Sequence, residues 1–479
     1  MDHVRSGAWH TIDHMTSDHE AQPVARTTDR RRFLQGVSLV GGSVLAGCAS
    51  VAARPHSGGS VGAETRISFR PSGMDIAAGL PPDPSRPIGE DRLLPQIEHI
   101  VVVMLENHSF DNILGMLGHG DGFTLDSKGA PTNSNPDGKG GRLRAFHMPT
   151  PCQFDGKPSQ AWNASHEQFD RGTNQGFVTS PSGPVAMGYW TPTDMPFTSS
   201  LAKTFPVADR WFCSLLGQTF PNRRYLLAGT SLGLINDTLD FALPPAGTIL
   251  DQFRKHGISW KNYVSKPPAS IFVWPGLLGA PWLGGHTPPI EHFFQDAKRG
   301  TLPSFSLVDP NFGTNSEENP QDIQYGDIFL SRVVNAVMSG PKWMSTLLVW
   351  NYDEHGGYYD HVVPPKAPEP DDVQPLLQKG DVRAQFNRFG FRVPAGVVSP
   401  YAKPGHVSHT VYDHTSVLKL IERKWNLPSL TRRDAAANDP LDMLDFKAPP
   451  AFRKPPHLSA PADAALESSC LTTGPGTIP

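Results

Sequence analysis

No stretch of the 479 residues approaches the roughly 20 consecutive apolar residues that cross a bilayer as a helix, which excludes a polytopic membrane protein. Cysteine is scarce, at four residues, and forms neither a CxxC pair nor a Cys/His cluster, so a structural zinc site of thiolates is excluded. Charge of one sign is lacking too. The 42 Lys+Arg against 46 Asp+Glu leave a formal net charge of −4 and no basic footprint, so no nucleic acid is expected as a partner. No glycine-rich loop has Walker spacing or the dinucleotide fingerprint, and nucleotide-cofactor chemistry is unsupported. What the chain does have is 38% apolar residues, enough for a core, and 48 prolines with 45 glycines. That punctuation predicts long structured loops around a smaller regular scaffold. The length allows one large α/β domain or two ordinary ones.

The first segment reads as an address. Arg30-Arg31-Arg32-Phe33-Leu34-Gln35 resembles a twin-arginine export signal. The weakly apolar stretch after it ends in Leu45-Ala46-Gly47-Cys48, which resembles a bacterial lipoprotein box. The expectation is an exported bacterial protein of the cell envelope, lipid-anchored through Cys48 at the outer face of the cytoplasmic membrane or secreted. Its export partners would be the twin-arginine translocase and the lipoprotein-processing enzymes. Residues 1–47 then form the signal, 48–94 a flexible tether, 95–446 the catalytic domain and 447–479 a Pro-rich tail. Once Cys48 is an anchor, Cys152, Cys213 and Cys470 can make at most one disulfide and leave one thiol.

Within the body, short β-branched or aromatic runs occur at residues 99–105, 207–212, 304–308, 346–352 and 395–398, with helical patterns at 222–228, 328–337 and 415–425. Unbroken apolar runs such as Ile100-Val101-Val102-Val103-Met104-Leu105 suit strands buried on both faces. Their alternation with helices predicts an α/β fold, a mostly parallel central sheet with helices on both faces. Such sheets carry their sites at the carboxyl ends of strands. One strong run leads directly into Glu106-Asn107-His108-Ser109-Phe110-Asp111, another into Asp353-Glu354-His355-Gly356-Gly357. Glu106, Asp353, Glu354 and the Asn107 amide form a hard oxygen set suited to Ca²⁺, Mg²⁺ or Mn²⁺. Between the two lies Gly217-Gln218-Thr219-Phe220-Pro221-Asn222-Arg223-Arg224-Tyr225, where Thr219 stands at the start of a helix. Helix-start amides favour an anion, so a phosphate could be received beside the Thr219 hydroxyl. A hydroxyl held against a metal loses its proton more easily and can attack phosphorus. The plainer role for Thr219 is to cap the helix.

Residues 106–111 are similar to the Glu-Asn-Arg-Ser-Phe-Asp signature of the bacterial phospholipase C and acid phosphatase phosphoesterases. Further similar blocks are 187–190, 217–225, 353–361 with Pro364-Pro365, and 391–394 through 413–416, in the family's order. The resemblance implies an alkaline-phosphatase-like fold and a hydroxyl nucleophile that is transiently phosphorylated. It carries Thr219 over as nucleophile, His166, His361 and His414 as candidate catalytic histidines, and Glu106, Asn107, Asp353 and Glu354 as the metal or phosphate set, the divalent ion being Ca, Mg, Mn or Zn. Thr219 looks like the phospholipase C branch, because the acid phosphatase branch has Ser there. The reading is a phosphodiesterase releasing diacylglycerol from phosphatidylcholine-like lipids at a membrane surface. His108 stands where the signature has Arg, Asn112 where His is frequent, and Asn319 where relatives often carry His.

Three other readings compete. One is an acid phosphatase acting on monoesters. Another is a serine esterase, since Gly229-Thr230-Ser231-Leu232-Gly233 fits the G-x-S-x-G elbow, though that motif needs a strand before the serine and a helix after it. The third is an inactive lipid-binding lipoprotein. The apolar stretch 271–283, broken by Gly and Pro, is either a greasy loop at the mouth of the site or a buried irregular loop.

Overall fold

The computed structural model describes residues 78–91, 93–153, 158–265 and 283–462, together with positions 273, 274, 277 and 470. The export signal, the lipoprotein box and residues 48–77 of the expected tether lie outside the described residues.

Seven strands make the central sheet: β1 (His99–Leu105), β2 (Val207–Ala208), β3 (Trp260–Tyr263), β4 (Phe305–Val308), β5 (Thr346–Tyr352), β6 (Ala395–Val398) and β7 (Val407–Ser408). They lie in the order β7-β2-β6-β5-β1-β4-β3. β1 pairs in parallel with both β4 and β5, and β3 with β4. Only β6 is reversed, antiparallel to β5 and to β2. Every residue of β1 and β5 is buried, as expected of strands covered on both faces. Each such Val, Leu or Ile contributes about 1.5–3 kcal/mol on leaving water. The run at 207–212 leaves the sheet after Ala208, because Trp211 and Phe212 pair instead with Tyr412 and Arg392.

Among the described residues the α-helices are α1 (Phe110–Leu114), α2 (Trp162–Phe169), α3 (Pro196–Thr204), α4 (Thr219–Ala228), α5 (Ile249–His256), α6 (Ile290–Arg299), α7 (Ile323–Ser339), α8 (Thr415–Trp425) and α9 (Arg432–Ala436). All ten residues of α4 are buried, Arg223 and Arg224 included. It is thus an internal helix, whose polar groups need partners inside the protein.

Two segments read as loose from their composition are fastened to the body. At the end of α8, Gly89 N donates to Trp425 O at 2.8 Å, and Asp83 N donates to the Asn426 side chain at 2.9 Å. The buried Lys424 ammonium reaches Asp91 and the carbonyls of Leu94 and Ile97. The part of the expected tether from 78 to 94 is therefore held down, since it satisfies carbonyls that a helix end leaves open. In the tail, Phe452 N donates to Pro400 O at 3.0 Å and the Phe452 ring packs 4.5 Å from that of Phe205. Cys470 is disulfide-bonded to Cys152, and Cys213 is the buried free thiol.

Candidate active site

Strands β1, β4 and β5 are neighbours that end on the same edge, and each releases an acid there. The register pairs Leu105 with Tyr352 and Val103 with Val308. Glu106, Asp353 and Asp309 therefore emerge side by side. The turn after β1 needs an unusual backbone: Asn107 has φ 66°, a left-handed conformation that Asn tolerates. Gly356, at φ 65°, packs against that turn so closely that a Cβ would lie 1.8 Å from the Asn107 carbonyl oxygen. Asn107 N donates to Asp353 Oδ1 at 3.1 Å, which ties the two turns together. Sequence reasoning found Glu106, Asn107, Asp353 and Glu354 but not Asp309, although it too directly follows an apolar run.

Arg223 fills the space among these acids. Its Nε donates to Asp353 Oδ2 at 2.9 Å, and its terminal nitrogens lie 3.7 Å from Glu106 and 3.8 Å from Asp309. Burial opposes charge on Arg223, yet Asp353, Glu106 and Asp309 together raise its pKa. One guanidinium does not balance the set. Burial pushes the Asp353 and Glu354 carboxyls above their usual range, and each is pushed further by a carboxylate neighbour. Glu354 Oε1 is buried without a hydrogen-bond partner, while Oε2 accepts from Gly356 N at 2.7 Å. Excess buried negative charge, an open carboxylate oxygen and only oxygen donors fit a divalent cation of the hard kind. Among the described residues the acidic oxygens stand apart rather than closing into one tight cluster. The tight group of Cys152, Cys470 and Asp322 contains the disulfide and so has no thiolate to offer.

Thr219 opens α4 next to these acids. It is the first helical residue, with Gln218 at the cap position, and the Gln218 side chain makes no cap bond. Its hydroxyl is thus not spent on capping. It is fully buried and donates to Asn107 Oδ1 at a long 3.4 Å. Pro221, the third residue of the helix, lies in its first turn. The next amide, Phe220 N, donates to Asp237 Oδ1 at 2.7 Å, so a carboxylate already occupies part of the helix start expected to receive phosphate.

The histidines divide. His414 belongs with the acids: Nε2 donates to the Asp353 carbonyl at 2.6 Å, and Nδ1 lies 3.3 Å from the Asn351 amide nitrogen. Burial lowers its pKa to about 4, so it is neutral and orients the Asp353 turn. His361 belongs to a separate ionic group with Asp111 (2.7 Å), Asp121 (3.2 Å) and Arg392. His166 is on α2, its Nδ1 2.7 Å from Trp162 O, and it lines an open cavity of about 750 Å³ with Glu167, Asp170 and Arg171. Gln168, roughly 200° around the same helix, bonds instead to His355 at 2.7 Å, the residue after Glu354.

The departures from the signature are accommodated. His108 donates to Glu317 O at 2.8 Å and stacks on Tyr358. Asn112 donates to Gly188 O, and Asn319 accepts from Tyr358 OH at 2.6 Å. Ser231 is buried, preceded by α4 and followed by a turn, the reverse of an elbow. The described residues of the apolar stretch, Val273, Trp274, Leu277 and Leu283, are buried, not exposed at a mouth.

The profile of the Phosphoesterase family matches residues 97–428. Phospholipase C B of Mycobacterium tuberculosis is 32% identical over 422 residues, covering 76% of this chain and 80% of that one. Non-specific phospholipase C1 of Arabidopsis thaliana is 31% identical over 379 residues, covering 71% and 69%. Non-hemolytic phospholipase C of Pseudomonas aeruginosa is 27% identical over 444 residues, covering 82% and 62%. A solved protein of the alkaline phosphatase superfamily from Vibrio parahaemolyticus aligns over 79% of this chain and 75% of that one, at 10% identity and a TM-score of 0.38.

Proposed function

This chain belongs to the Phosphoesterase family and is a hydrolase of phosphoric ester bonds, and from that premise we propose that it cleaves phosphatidylcholine-like phospholipids to diacylglycerol and a phosphorylated head group. The observation that carries the reading is the Thr219 hydroxyl, buried at the start of α4, not used as a cap, and directed at Asn107 between the acid-bearing strand ends. Its relatives named phospholipase C support the substrate class.

In the proposed mechanism Thr219 Oγ attacks phosphorus in line as the diacylglycerol oxygen leaves. Water then hydrolyses the phospho-threonine ester and releases the head-group phosphate. Glu106, Asn107, Asp353 and Glu354 would hold a divalent ion, which when bound supplies charge that favours the ionised hydroxyl and the developing oxyanion. Arg223 stays charged and fixes Asp353, Glu106 and Asp309 in place, and neutral His414 orients the Asp353 turn through its carbonyl. His361 and His166 lie outside this group and take no step in it. The same proposal keeps the enzyme in the cell envelope. Its support there is the sequence pattern at Arg30-Arg31 and Cys48, together with the export machinery such a pattern addresses.

Phosphatidylcholine vesicles and a phosphate monoester, offered side by side to one preparation with and without chelator, test the proposal. Chelator-sensitive release of diacylglycerol is the expected result. Efficient monoester cleavage with no diacylglycerol would reject it in favour of a phosphatase.

A further inference from the structure

Val273, Trp274, Leu277 and Leu283, the described residues of the 271–283 stretch, are buried, and the exposed apolar residues lie elsewhere. Phe241 is 68% exposed, Leu243 43% and Leu376 55%. The buried Arg224 guanidinium gathers Ser231 O at 3.3 Å and Asp240 O at 3.5 Å, bringing residues 231–233 beside residue 240. Leu376 N donates to Gly233 O at 2.8 Å, which adds its segment to the same place. The group lies close to the site. Asp237 bonds the amide next to Thr219, and Phe241, four residues on, is at most about 14 Å from it by chain reach.

The charges around these residues select the surface. From Tyr225 to Phe253 the sequence has no Lys or Arg, while it has Asp237, Asp240 and Asp251. Beside Leu376, Asp372 is paired with Arg432 at 3.0 Å and Lys379 follows, which leaves Asp371 with Asp237 and Asp240 as the acids of this group. An anionic membrane would be repelled there, because attraction to such lipids needs basic residues. A zwitterionic one would not, and it offers acyl chains to the apolar side chains and a choline cation to the acids.

We infer that Phe241, Leu243 and Leu376 form a docking face that seats the protein, close to Thr219, on a zwitterionic phospholipid surface. The inference rests on the phospholipid reading given above. It deepens that reading by naming the surface and the residues that meet it.

The test uses the full chain with Cys48→Ser in every sample, so that no acyl anchor contributes. Cosedimentation in the cold with phosphatidylcholine or phosphatidylglycerol vesicles measures docking, and a soluble chromogenic phosphocholine diester measures the chemistry. The parent should prefer phosphatidylcholine vesicles. Phe241→Ser with Leu243→Ser should weaken that binding by about tenfold, since partial burial of a Phe and a Leu exceeds the about 1.4 kcal/mol that a factor of ten requires. Leu376→Ser should weaken it by about threefold, given its smaller apolar area. All these variants should keep the soluble-diester rate and the melting temperature of the parent. Vesicle binding unchanged in the variants, or a parent that prefers phosphatidylglycerol, would overturn the docking face. A parent that binds through these residues yet cleaves no diester would overturn the substrate reading and leave the docking face standing.

Discussion

At the scale of single residues the proposal turns on Thr219. Thr219→Ala removes the attacking oxygen and one long hydrogen bond, so turnover should fall by at least about a thousandfold. Stability should change by less than about 1 kcal/mol, since no cap bond is lost. Thr219→Ser keeps the hydroxyl and should keep measurable activity. A second expectation concerns the acids. Asp353→Asn or Glu106→Gln removes a charged oxygen next to Arg223 and should lower bound metal and activity together, read by elemental analysis and by the diester assay. Because burial raises the Asp353 and Glu354 carboxyls, metal uptake should release protons and weaken as pH falls. Calorimetry in two buffers of different ionisation enthalpy reads that release. Much of this set was legible in the sequence, because Glu106, Asn107, Asp353 and Glu354 directly follow the two longest strand patterns. Arg223 was not, since an arginine in a helix reads as solvent-facing and only the fold shows α4 to be internal. Asp309 was hidden by the shortness of β4, four residues against seven in β1.

At the scale of elements, the two site-bearing turns are clasped together at their far ends. Ser109 Oγ donates to Tyr359 O at 2.7 Å, and His361 closes on Asp111 at the start of α1. Burial disfavours the His361 imidazolium, but Asp111, its hydrogen bond and Asp360 raise the pKa from 6.5 to about 9. A cation stabilised in this way contributes fully below pH 6.5 and loses that contribution as pH rises through about 9. His361→Gln should therefore cost on the order of 1–3 kcal/mol at pH 6 and much less at pH 10. Denaturant unfolding of both proteins at the two pH values measures this, and a penalty independent of pH would refute the ionic clasp. The elements themselves were foreseen where a pattern is sustained, as in β1, β5 and α8. The pattern at 207–212 overran its strand because Trp211 and Phe212 are buried by pairing outside the sheet, and burial alone looks the same in sequence.

At the scale of the whole chain, composition misled where Pro and Gly are dense. Residues 78–94 and 447–462 carry few apolar periodicities, yet they are held by hydrogen bonds to helix ends and by single anchors such as Phe452. Such contacts depend on the finished fold rather than on a repeating local pattern. The Cys152–Cys470 link joins the tail to the body across 318 residues of sequence. Cys152→Ser with Cys470→Ser should destabilise by roughly 2–4 kcal/mol and expose the tail to proteases first. Thermal melts and timed proteolysis would show it. The proposed chemistry rests on one event, the transfer of a head-group phosphate to Thr219. Rapid acid quench of the enzyme during turnover of phosphatidylcholine, followed by mass spectrometry of the Thr219 peptide, tests that event directly. Phosphocholine esterified to Thr219, at a level that rises and falls with turnover, is the expected result. Steady diacylglycerol release with Thr219 unmodified, or with the adduct on another residue, would contradict it.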